Sequence, residues 1–75
     1  MQIQDKRVVV TGAASGIGKA LCEAFNKAGA KSVVCVDMNI EGATETANDI
    51  NGLAVQANVG KEADIINVID KANEY

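Results

Sequence analysis

The sequence has no histidine, no proline and only two cysteines, Cys22 and Cys35. With no histidine and no C-x-x-C spacing, it assembles no zinc-type ligand set, and no metal is expected. Both cysteines fall in segments read below as helix and strand, where a free cysteine acts as a small buried hydrophobe. The strongly apolar stretches are short: Val8 to Val10 and Val33 to Val36. Neither reaches the length of a signal-peptide core or a membrane span. A cytoplasmic protein without a membrane partner is therefore expected. Nor is there a basic cluster: the seven Lys and Arg are dispersed and the net charge of −3 comes from scattered acids. Nothing here attracts nucleic acid, and a small-molecule partner is favoured.

What is present is an ordinary globular composition, 48% hydrophobic and 23% charged, in 75 residues. A chain of that size buries only about 60% of its unfolded surface, so one small domain at most is expected, and a larger parent. Arg7 to Thr11, with three consecutive valines, reads as a strand buried on both faces. From Ile17 the rhythm becomes helical: Ile17, Ala20, Leu21, Ala24, Phe25 and Ala28 draw one apolar stripe, and Gly29 ends the helix. Ser32 to Asp37 is a second buried strand. Asn39 caps a second helix with Ile40, Ala43, Ala47 and Ile50 on its buried face, stopped by Asn51-Gly52. Leu53 to Ala57 is a third strand. Lys61 to Tyr75 is a third helix, with Ile65, Val68, Ile69, Ala72 and Tyr75 as its stripe. The order β-α-β-α-β-α predicts an α/β fold with a Rossmann-type parallel sheet, of which this is the first half, in strand order 3-2-1.

Between the first strand and first helix stand Gly12, Gly16 and Gly18, spaced G-x-x-x-G-x-G. Three glycines in fixed places arise by chance in about 2% of chains this long, so the spacing alone decides little. Context adds to it: the glycines join a strand to a helix, and Asp37 ends the next strand 19 residues after Gly18. A helix N-terminus offers unpaired N–H groups and partial positive charge, a good phosphate site if side chains do not block the approach. On this reading Gly12 turns the chain off the strand, Gly16 admits a pyrophosphate to the backbone, and Gly18 lets the helix pack close. The backbone N–H groups of Ser15 and Ile17 and the Ser15 hydroxyl are candidate donors, and Lys19 does not fit the P-loop pattern G-K-[ST].

The octet T-G-A-A-S-G-I-G, Thr11 to Gly18, resembles the cofactor loop of the short-chain dehydrogenase/reductase family. The resemblance continues through "RVVVTG", "GIGKALCEAFNKAGA", "VVCVD" and the "NV" after the third strand. It implies a single-domain Rossmann fold that binds NAD or NADP and transfers a hydride between nicotinamide and the carbonyl or hydroxyl carbon of a small substrate. By the same resemblance Gly12, Ser15, Gly16, Ile17 and Gly18 would line the pyrophosphate, Asp37 the adenosine ribose, and Asn58 with Val59 the adenine. Asn58 departs from the Asp usual in the family; its amide oxygen can still accept from the adenine amino group. NAD is expected over NADP, because Asp37 would repel a 2′-phosphate and the neighbours that could host a compensating cation, Ser15 and Met38, are uncharged.

The family's catalytic serine, its Y-x-x-x-K pair and its N-N-A-G segment do not occur in these 75 residues. Tyr75, the single tyrosine, is expected as an aromatic core residue closing the third helix, and no catalytic residue is assigned. The chain is thus expected to be the N-terminal part of one dinucleotide-binding domain, inactive alone. Its first strand would be a bare edge in need of pairing, and the protein a homo-oligomer. Two other readings stay open: a non-catalytic nucleotide-binding or assembly half-domain, and another Rossmann enzyme such as a methyltransferase.

Overall fold

Val33, Val34, Cys35 and Val36 are all buried, as a strand covered on both faces requires. They form the middle of β2 (Ser32–Asp37) in the structure, a computed structural model that describes residues 3–75. β2 lies between β1 (Arg7–Thr11) and β3 (Leu53–Gln56) in a parallel sheet of order β1-β2-β3, the expected 3-2-1 arrangement. Val8 pairs with Val33, Val10 with Cys35, and Val36 with Val55. The crossovers are α1 (Gly16–Lys27) and α2 (Ile40–Ile50), and α3 (Glu62–Glu74) follows β3.

Successive residues of a strand point to opposite faces, and β2 divides the core accordingly. Val33 and Cys35 join Val10, Ala13, Cys22, Ala43 and Ala47 on the side of α1 and α2. Val34 and Val36 join Val55, Ala57 and Val68 on the side of α3. The result is three layers, with helices on both faces of a parallel sheet.

Three expectations about burial need correction. β1 is not covered on both faces: Val10 is buried, but Val9 is 45% exposed at the edge of the sheet. The stripe of α1 is rotated from the one expected. Cys22 is buried with Gly18 and Phe25 partly so, while Ile17, Ala20, Leu21, Ala24 and Ala28 face outward. The cause is Gly18, whose missing side chain brings the helix against the Gly12 carbonyl and so turns Cys22 onto β2. In α3 Val68 is buried and Ala72 partly so, while Ile65 and Ile69 line an open apolar cleft with Val9, Thr11 and Val36. Ile65, Ile69 and Tyr75 are exposed, and Tyr75 is no core residue: its hydroxyl donates to the Asn51 carbonyl at 3.0 Å.

The helix ends follow local chemistry. Asn39 caps α2 by accepting from the Gly42 N–H at 3.1 Å. Asn51, not Gly52, takes the left-handed conformation that ends it, at φ 59°. Gly29 has the expected positive φ after α1. Cys22 and Cys35 are packing residues with free thiols; the Cys35 thiol donates to the Cys22 sulfur at 3.6 Å, and burial pushes the Cys35 pKa up to about 12. Among the described residues no helix is long and apolar enough to cross a membrane.

Candidate functional site

All three parallel strands end on the same side of the sheet, and the loops there converge. In open α/β sheets this is where ligands bind. Gly12 follows β1 with φ 68° and Gly16 opens α1 with φ 59°, conformations that L side chains rarely adopt. A Cβ at either position would meet open space, so nothing in the protein fills the ground before the loop. Gly18 differs: a Cβ there would collide with the Gly12 carbonyl. Two glycines thus shape the loop and the third sets helix against strand.

Ser15 stands at the N-cap of α1 without a side-chain capping bond, and the first turn carries no acidic residue. The first-turn N–H groups and the Ser15 hydroxyl can therefore serve an external anion. The open cradle at Gly12 and Gly16 suits a group as bulky as a pyrophosphate.

Asp37 closes β2 across from this loop. One carboxylate oxygen accepts from the Asn39 N–H and the other from the Ala14 N–H, each at 3.0 Å. These bonds, Asn39 first and then Ala14, hold its carboxyl below the ordinary aspartate pKa, so it is anionic at neutral pH. Each oxygen keeps a lone pair for a further donor such as a ribose hydroxyl. Met38 beside it is exposed and brings no charge, while its carbonyl accepts from the Gln56 side chain at 3.1 Å.

A cleft of about 340 Å³ lies among Thr11, Gly12, Val36, Asp37, Met38, Ala57, Asn58 and Val59. The structure thus gathers Gly12, Asp37, Met38, Asn58 and Val59 around one opening. Ser15, Gly16, Ile17 and Gly18 do not line it; they belong to the start of α1, and Ile17 is 82% exposed. Asn58 is more constrained than its sequence position suggests: its amide oxygen accepts from the Gly60 N–H at 2.9 Å, leaving one oxygen lone pair and the NH₂ group. Two participants were not identified from sequence. Asp64, in the first turn of α3, accepts from the Asn58 N–H at 2.9 Å, and Thr46, buried in α2, donates to the Ala13 carbonyl at 2.8 Å. The signal for Thr46 was its place between Ala43 and Ala47 on the buried face.

Residues 6–75 match the family model described as short chain dehydrogenase. The chain is 46% identical over 70 residues to an NAD-dependent glycerol dehydrogenase of Listeria innocua, covering 89% of this chain and 27% of that protein. Its fold is similar to a 3-ketoacyl-(acyl-carrier-protein) reductase from Brucella melitensis complexed with NADH, with TM-score 0.88 and 40% identity, covering 93% of this chain and 29% of that one. It is likewise similar to a short chain dehydrogenase/reductase from Burkholderia phymatum in complex with NAD, with TM-score 0.93 and 25% identity, covering 99% and 28%. The chain spans 11% to 30% of the lengths of seven curated relatives.

Proposed function

This chain belongs to the short chain dehydrogenase family, and from that premise we propose that it is the NAD-binding N-terminal part of one dinucleotide-binding domain, in an oxidoreductase acting on a small alcohol or carbonyl compound. The observation that carries the proposal is the pairing of an uncapped, acid-free helix N-terminus with an anionic Asp37 across the loop. A pyrophosphate needs the first, and a ribose diol the second. In this reading Gly12, Ser15, Gly16, Ile17 and Gly18 surround the pyrophosphate, Asp37 accepts from the adenosine ribose, Met38 borders it, and Asn58 with Val59 meets the adenine.

Bound nicotinamide supplies the carbon that gives or takes a hydride. The residues of this chain orient the dinucleotide from its far end: the α1 turn fixes the diphosphate, and Asp37 fixes the sugar. Proton exchange at the oxygen on the reacting carbon is assigned to none of them. The Tyr75 hydroxyl is bonded to the Asn51 carbonyl.

Titration of the protein with NADH and NADPH by fluorescence tests the proposal. Tighter NADH binding is expected; preference for NADPH, or no binding of either, would overturn it. Turnover of an alcohol panel by residues 1–75 alone would overturn the assignment of the proton step elsewhere.

A further inference from the structure

The Ala13–Ala14 peptide unit is held at both ends by side chains from outside the loop. Its carbonyl accepts from the Thr46 hydroxyl at 2.8 Å, and its N–H donates to the Asp37 carboxylate at 3.0 Å. The Ala13 N–H is also occupied, on the Val36 carbonyl at 3.0 Å. The plane of this peptide sets where the next residues, Ser15 and Gly16, direct their N–H groups. A flip would break the Thr46 and Asp37 bonds together.

Thr46 is 1% exposed, so its hydroxyl must be satisfied within the protein. A threonine inside a helix ordinarily has an answer at hand in the carbonyl four residues back. Here that carbonyl, Gly42, lies at 3.2 Å, while the loop carbonyl is nearer at 2.8 Å. The single hydroxyl proton is therefore directed out of α2 to the loop. Gly42, one turn earlier, lets the helix come that close: a Cβ on it would stand 2.7 Å from the Ala14 Cβ.

We propose that Thr46 is a positioning residue for the dinucleotide loop: its hydroxyl locks the Ala13–Ala14 peptide so that the N–H groups opening α1 are preorganised for the pyrophosphate, with Gly42 permitting the approach. This rests on the reading of the loop as a dinucleotide site. α2 is then part of the binding apparatus although it lends no atom to the ligand. Its second role, as filler between α1 and the sheet, needs only the volume of the side chain.

That difference gives the test. Thr46→Val keeps the volume and removes the proton, whereas Thr46→Ser keeps the hydroxyl. Leaving a buried carbonyl unpaired is expected to weaken NADH binding about tenfold in Thr46→Val, with Thr46→Ser within about twofold of wild type. Amide hydrogen exchange reads the same tether without ligand: Ala14 should exchange about tenfold faster in Thr46→Val and at the wild-type rate in Thr46→Ser, while the core amide of Val34 is unaltered in both. If Thr46→Val does not fold, Gly42→Ala, which pushes α2 off Ala14, should give the same two signatures. Unchanged Ala14 exchange, or equal acceleration at Val34, overturns the proposal, as does unchanged NADH affinity in a variant whose Ala14 is released. Failure of wild type to bind NADH would instead overturn the functional reading, and the exchange arm would still decide the role of Thr46.

Discussion

Replacing Asp37 by serine and Met38 by arginine should reverse cofactor preference while also loosening the loop that holds either cofactor, for two separable reasons. The Asp37 carboxylate is near the surface, so its repulsion of a 2′-phosphate is set by nearly bulk dielectric: about 1 kcal/mol per pair of unit charges at 4 Å. A phosphate carrying close to two charges is thus disfavoured by roughly 2 kcal/mol, or about 30-fold. An arginine at the exposed Met38 position adds attraction of similar size, so the NADP-to-NAD ratio should swing by about a thousandfold at low salt and less at high salt. The carboxylate also holds the Ala14 N–H, and losing that charged bond loosens the loop for either cofactor, by roughly 1.5–3 kcal/mol at most. Competitive titration of the double variant with both cofactors, at two ionic strengths, separates the effects because the loop contribution cancels in the ratio. An unchanged ratio, or a swing insensitive to salt, would refute the electrostatic argument.

Gly16→Val should lower NADH affinity more than tenfold when measured on folded protein, since a branched side chain would occupy the open ground before the loop; equal affinity would remove Gly16 from the site. Gly29→Ala should leave affinity unchanged and cost about 1 kcal/mol of stability, a fall in Tm of roughly 4–8 °C, because φ at Gly29 is 89°. Asp37 has a lowered pKa in the folded state, so the stability it contributes is complete above the unfolded value of about 3.9 and is lost as pH falls through the folded value. Acid unfolding of Asp37→Asn should accordingly depend less steeply on pH below about 4, and an identical profile would count against the Asn39 and Ala14 bonds. Burial pushes the Cys35 thiol up to a pKa of about 12, so it stays protonated at pH 8. Thiol reagents should react with Cys35 only at the rate of unfolding, and fast labelling of native protein would contradict its burial.

Element order was legible because the changes of period are abrupt: valines at Val8 to Val10, helical spacing from Ile17, valines again at Val33. The same periodicity misled on which face of α1 is buried. Ala20, Ala24 and Ala28 are apolar enough to draw a stripe but too small to compel burial, and a steric fact about Gly18 chose another face. In α3 the isoleucines marked an apolar face without marking what lies against it. The site was legible where backbone shape requires particular residues, as at Gly12 and Gly16. It was not legible at Thr46, whose partner is a carbonyl 33 positions earlier. Nor could the Asn58 spacing disclose that its amide oxygen already holds Gly60.

The exposed outer side of β1 has a kinetic meaning as well. Each new strand adds beside the previous one, β2 on β1 and then β3 on β2, so the sheet grows in one direction only. At ribosomal rates of about 5–20 residues per second, these 75 residues take roughly 4–15 s to appear. For that interval, and until something pairs with it, a strand with three valines and its Val9 uncovered is a template that any extended segment can join. Of these three strands the one made first is therefore the most exposed to mispairing, and nascent-chain yield should be more sensitive to a lysine at Val9 than the equilibrium stability of the finished sheet.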